Sequence, residues 1–113
     1  MDIFFRVRKF GKTCSSKAAM EKEHGVIRAK KLGQRLMELR AADCLADISR
    51  LPPPRCHELT GNRSGHFSVD LDHPYRLIFL PDHDPVPLTD DGGVDLRLVT
   101  SILILGIEDT HKH

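Results

Sequence analysis

The clearest alternation of apolar and polar positions runs over residues 66–80. Phe67, Val69 and Leu71 face one way and His66, Ser68 and Asp70 the other, the period of a half-buried strand. Asp72-His73-Pro74 interrupts the pattern and Tyr75 to Leu80 resumes it, which predicts a β-hairpin. Near the start, Ile3, Phe5 and Val7 alternate with Phe4, Arg6 and Arg8, predicting a strand over residues 2–8 that Gly11 ends. Thr13-Cys14-Ser15-Ser16 offers N-cap candidates for a short helix over 17–24, stopped by Gly25. The period then changes to that of a helix over 26–42. Ala29, Leu32, Leu36 and Leu39 recur on one face, with Arg28, Lys31 and Arg35 on a neighbouring stripe. Two helices with so short a joint make an αα-hairpin.

Residues 43–51 predict a helical turn, with Asp43 as cap and Leu45 and Ile48 docking inward. Pro52-Pro53-Pro54 has no amide hydrogens to give and ends regular structure. A strand over 55–59, a turn at Thr60-Gly61-Asn62 and the hairpin follow. Residues 81–93 hold three prolines and an Asp-Gly-Gly, and predict a long polar loop. Residues 98–107 are nearly all aliphatic, as in a strand covered on both faces, and deliver Glu108-Asp109-Thr110-His111. This order predicts an α+β domain spanning residues 1–113, with helices on one face of a mainly antiparallel sheet. The other face would then hold His57, Arg63 and Arg76, with His111 arriving nearby.

A chain of 113 residues is long enough for one core without staples. No apolar run approaches the ~18 residues of a membrane span, and the first charges follow a short apolar patch instead of preceding a long one, unlike a secretory signal. Cys14, Cys44 and Cys56 are odd in number and form no C-x-x-C pair, which points to a reduced, cytoplasmic protein. The net charge is +1, yet residues 1–40 carry +7, residues 41–70 carry −1 and residues 71–113 carry −5. The basic segment reads either as a solvated helical face or as a surface that steers a polyanion. The small overall balance argues against tight free-standing binding to bulk nucleic acid.

Candidate chemistry concentrates between Arg55 and Phe79, which hold His57, His66, His73, Arg55, Arg63, Arg76 and Tyr75. Imidazoles suit proton transfer near neutral pH, and guanidiniums suit phosphate because their fork is planar and always charged. A metal nuclease would need ligands at set spacing, and Asp70, Asp72 and His73 are the sole nearby group. They fall on a turn. No nucleophile elbow marks a serine or cysteine hydrolase.

The run R-C-H-E-L-T-G-N-R-S-G-H-F-S-V-D-L-D-H-P-Y-R-L-I-F, the later D-G-G-V-D-L and the closing I-E-D-T-H together resemble the HigB branch of the RelE-like toxins. The resemblance extends over essentially the whole chain. It implies a RelE-like microbial RNase fold and the toxin half of a type II toxin–antitoxin pair, which cleaves messenger RNA on the ribosome without metal or cofactor. It implies a catalytic set of His57, Asp109 and His111, phosphate contacts from Arg63 and Arg76, and a cognate antitoxin as partner, in a dimer or heterotetramer. His57 and His111 would be the acid–base pair, in either order, with Asp109 orienting His111 or an adjacent cation. Arg28, Lys31 and Arg35 would contact ribosomal RNA or the antitoxin. The chain departs from the family at Thr60, where lysine is frequent, and at Thr110, where tyrosine is frequent. Those departures keep a second expectation open, a catalytically weak or silent module that binds RNA or an antitoxin.

Overall fold

Each stretch of alternating sequence finds its place in one five-stranded sheet, in a computed structural model that describes residues 1–109. The strands are β1 (Asp2–Phe5), β2 (His57–Glu58), β3 (Phe67–Asp70), β4 (Tyr75–Pro81) and β5 (Ser101–Asp109), in spatial order β1-β5-β4-β3-β2. Only the β1–β5 pair is parallel; the other three pairs are antiparallel. Helices α1 (Arg8–Thr13), α2 (Lys17–His24) and α3 (Val26–Ala41) follow β1. No helix among the described residues is long and apolar enough to cross a membrane.

The αα-hairpin forms where the sequence places it. Ser16 Oγ accepts a hydrogen bond from the Ala19 amide at 3.1 Å and so caps α2. Gly25, at φ 82°, both ends α2 and opens α3, a conformation that favours glycine. Ala29, Leu32, Leu36 and Leu39 of α3 are buried in one core with Phe67, Val69, Leu77, Phe79, Ile102 and Ile104 of the sheet. Each such large apolar side chain contributes about 1.5–3 kcal/mol by leaving water.

Several elements differ from their predicted form. The first strand stops at Phe5, and Gly11 lies inside α1 instead of ending a strand. After the Arg6 amide bonds the Ile104 carbonyl at 2.9 Å the chain leaves the sheet, turning Phe10 inward, edge-on to Phe5. A Cβ at Gly11 would meet the Phe5 ring at 3.0 Å, so glycine serves close packing there. The cap before Leu45–Asp47 is Cys44, with the Asp47 carboxylate accepting from the amides of Asp43 and Cys44. Strand β2 is two residues long. Residues 98–100 are not strand: Leu98 is 57% exposed, while the Val99 carbonyl accepts the Leu45 amide at 2.9 Å. Pro81, predicted to open the loop, is the last residue of β4, and residues 82–93 are irregular up to one isolated bridge, between Leu88 and Val94.

Strand β5 is an interior strand, flanked by β1 and β4, which accounts for its aliphatic character. Its two faces are not equally covered, however: Ile102 and Ile104 are fully buried and Leu103 and Leu105 only partly. Its register slips between Ile78 and Phe79, which pair with Gly106 and Ile104, leaving Leu105 as an extra residue. Gly106 takes φ 146° at this bulge. An extra residue reverses the facing of everything after it. Even-numbered residues point to the helices before the bulge and to the open face beyond it.

Arg35 is the largest side chain in the core, at 1% exposure. Its Nε donates to the Asp70 carbonyl at 2.8 Å and its Nη1 to Glu38 at 2.9 Å. The basic stripe predicted on α3 therefore divides. Arg35 is an internal tie, Arg28 is half-buried over the Tyr75 ring at 3.5 Å and bonded to Asp72, and Lys31 is partly exposed. The three cysteines are free thiols, and burial pushes Cys14 and Cys56 up to about 11, which disfavours their thiolate forms at neutral pH.

Two stability measurements follow. Arg35→Ala removes a buried, hydrogen-bonded side chain and should cost about 2–4 kcal/mol in urea unfolding, against less than ~0.5 kcal/mol for Lys31→Ala. Equal effects would show that Arg35 carries no special weight. Gly106→Ala forces a side chain onto a positive-φ bulge and should cost about 1–3 kcal/mol; an unchanged midpoint would remove the conformational reason for glycine there.

Candidate active site

Cross-strand register assembles two rows of side chains on the open face. One row runs His57–Ser68–Ile78–Gly106 and the next runs Asp70–Arg76–Glu108. Both lie on the face opposite Val69 and Leu77, which pack toward α3. Ser68 is fully buried even so, which makes β3 covered on both sides where the alternation predicts one.

His57 owes its place to backbone tethers on either side of a very short strand. Before it the Cys56 amide bonds the Ser49 carbonyl at 2.9 Å and the Asp70 amide bonds the Pro54 carbonyl at 2.8 Å; after it the Leu59 amide bonds the His66 carbonyl at 2.8 Å. Arg55 takes φ 44° to make the turn out of the proline run. The His57 Nδ1 lies 3.2 Å from the Glu58 carbonyl. Its Nε2 lies 3.4 Å from Arg76 Nη1 and 3.5 Å from Ser68 Oγ, long contacts at the outer limit of hydrogen bonding. A guanidinium has no acceptor, so this arrangement assigns the proton to Nδ1 and leaves the Nε2 lone pair facing Arg76.

Two carboxylates hold the arginines. Asp70 accepts from Arg55 Nε at 2.7 Å and Nη2 at 3.2 Å, with Arg76 Nε at 3.4 Å from its other side. Glu108 accepts from both Arg63 Nη groups, at 3.0 and 2.9 Å. Those two hydrogen bonds hold the Glu108 carboxyl below its ordinary value and raise Arg63, consistent from both partners. The pair's side chains are 37% and 42% exposed, so it contributes no more than about 0–1 kcal/mol. With Glu108 depressed, that contribution is present above the ordinary glutamate range and lost as the pH falls below it, through the lowered folded-state value.

The sequence-predicted residues are thus partly brought together. His57 and Arg76 meet directly, and Arg63 reaches the same face through Glu108. Asp109 lies opposite Tyr75 in the ladder, so the pleat turns it to the helix side, where Arg28 stacks on Tyr75. His111 and Thr110 lie outside the described residues. Asp70 and Asp72 are engaged by arginines, and no group of three metal-ligating side chains is assembled among the described residues. Beside β2 a cleft of about 540 Å³, lined among others by Leu45, Ile48, Phe67 and Leu96, borders His57.

Ser68 and Glu108 are the members of this face that sequence reasoning missed. Ser68 carried no signal beyond its place in the alternation. The signal for Glu108 was Gly106 in an otherwise aliphatic strand, since an isolated strand glycine often marks a bulge.

No protein-family model and no curated protein matches this sequence. Solved structures do match. A chain of the YoeB–YefM complex from Staphylococcus aureus superposes with TM-score 0.53 at 15% identity, over 96% of this chain and 94% of that one. A chain of the YoeB dimer from Staphylococcus aureus gives TM-score 0.50 at 18% identity, over 94% and 92%. At these identities the likeness is one of fold: the chain shares the α+β fold of these YoeB structures.

Proposed function

We propose that this chain is the toxin half of a type II toxin–antitoxin pair and a metal-independent endoribonuclease that cuts messenger RNA on the ribosome. The observation that carries the reading is the contact of the His57 Nε2 with the Arg76 guanidinium on the open sheet face. It sets an imidazole nitrogen beside a permanent cation, and a phosphodiester transesterification needs both at one point. The HigB-like motifs and the YoeB fold support the same reading.

In this mechanism the RNA 2′-hydroxyl attacks phosphorus while one histidine takes its proton. The bond from phosphorus to the 5′-oxygen breaks, and the other histidine gives that oxygen a proton. The products are a 2′,3′-cyclic phosphate and a 5′-hydroxyl, with no metal in the step. His57, whose Nε2 faces Arg76, is cast as the base and His111 as the acid, with Asp109 at the strand end that leads to it. Arg76 holds the non-bridging oxygens of the scissile phosphate, and Arg63 contacts the phosphate backbone of the RNA. The matching YoeB chain is complexed with YefM and another is a dimer, which supports an antitoxin partner and self-association here. Arg28 and Lys31 are the stripe residues suited to meeting RNA or the antitoxin, and the protein would act in the cytoplasm.

A second reading, a weak or silent module that binds RNA or an antitoxin, is favoured by one observation. Arg63's outer fork is fully taken by Glu108. Induced expression in bacteria with primer extension on a translated transcript separates the two. Wild type should arrest growth and leave discrete cuts that vanish when translation is blocked. His57→Ala should lower cleavage by about 10²–10⁴-fold and Arg76→Ala by about 10²–10³-fold, with circular dichroism unchanged. Intact transcripts and normal growth with folded wild-type protein would hand the case to the binding module.

A further inference from the structure

Glu108 reaches the open face only through the Leu105–Gly106 bulge; a regular β5 would turn it toward the helices. Once there it stands directly across the ladder from Arg76, yet both of its hydrogen bonds go to Arg63, which arrives from the turn before β3. The two arginines are masked to different degrees. Arg76 shares Asp70 with Arg55, which holds that carboxylate at 2.7 and 3.2 Å against Arg76's single 3.4 Å approach. Arg63 has its outer fork closed at 3.0 and 2.9 Å.

Three guanidiniums therefore face two carboxylates, which leaves one positive charge over. Both partners of the Arg63–Glu108 pair are more than a third exposed, so stability is a weak reason for the pair and opening it costs little. On the same face, a Cβ at Gly106 would meet nothing within 4 Å, so open space adjoins Glu108 along β5.

We propose that Glu108 is a built-in anion that keeps a second phosphate subsite closed. In this arrangement Arg63 binds the phosphodiester neighbouring the one held at His57 and Arg76, after that phosphate displaces the Glu108 carboxylate. A carboxylate and a phosphodiester each present two oxygens to the guanidinium fork, so the exchange conserves both N–H···O bonds. A lone phosphate gains only the single surplus charge, whereas a strand with adjacent phosphates engages Arg76 first and then opens Arg63. The subsite thus selects polynucleotide over mononucleotide. The inference rests on the reading of this face as an RNA site and names how that site is regulated.

The test is equilibrium binding of a fluorescent 2′-deoxy decanucleotide, which lacks the attacking hydroxyl, across a series of salt concentrations. Glu108→Gln should bind about five- to tenfold tighter than wild type, with a log K against log salt slope steeper by about 0.7. Adding Arg63→Ala should abolish the gain. Glu108→Asp, whose shorter arm loosens the fork, should shift affinity in the same direction and stands in if Glu108→Gln is unstable. Unchanged affinity and slope in a variant that melts like wild type would overturn the proposal. Cleavage by wild type without that gain removes this inference alone. The gain without cleavage by any variant removes the nuclease reading and leaves the subsite.

Discussion

Asp70 ties together the parts that must meet for this face to exist. Its amide bonds the Pro54 carbonyl and so fixes the end of the proline run beside β3. Its carbonyl accepts the buried Arg35 from α3, and its carboxylate accepts Arg55 and Arg76. One residue at the end of a four-residue strand thus anchors the helix layer, the entry to β2 and the cation beside His57. A buried guanidinium is tolerated in the core because it ends on this backbone carbonyl and on Glu38, whose side chain still reaches water. The arrangement also explains why β2 manages with two residues: its geometry comes from tethers at both ends more than from its own ladder.

The second constraint is the extra residue in β5. Before it, Ile102 and Ile104 belong to the core; after it, Glu108 belongs to the open face and Asp109 to the side of Tyr75. A strand can serve two opposite demands in nine residues only if its facing is reversed midway. Here the bulge does so at Gly106, the residue that best tolerates the required φ.

Much of this was legible in the chain, and for identifiable reasons. Helices α2 and α3 were, because the spacing of Ala29, Leu32, Leu36 and Leu39 admits one amphipathic solution and Ser16 and Gly25 mark the ends, whereas α1 was hidden under the alternation read over 2–8. The hairpin was, because Asp72-His73-Pro74 separates two clean alternations. The meeting of His57 with Arg76 followed from placing both on the sheet face opposite the helices. What escaped depended on contacts distant in sequence. Arg35 looked like its neighbours Arg28 and Lys31, since nothing local says that a guanidinium will find the Asp70 carbonyl. The alternation of residues 2–8 continued past Phe5 because Val7 and Arg8 fit it by accident, while Phe10 had the stronger claim on the core. The facing of Glu108 and Asp109 needed the bulge, which periodicity alone reads one residue out of step.

The parallel pairing of β1 with β5 carries a kinetic consequence. Ile3 sits beside Ile102, so one edge of the sheet joins segments from opposite ends of the described chain. Closing so long a loop is entropically slow, and the rest of the molecule offers no local substitute for it. The αα-hairpin and the β3–β4 hairpin can form early from nearby contacts, but β5 must then slide between β1 and β4 to complete the sheet. Until it does, Arg63 lacks its carboxylate partner and the open face lacks half its width, so the cationic surface would mature only with the last long-range step of folding.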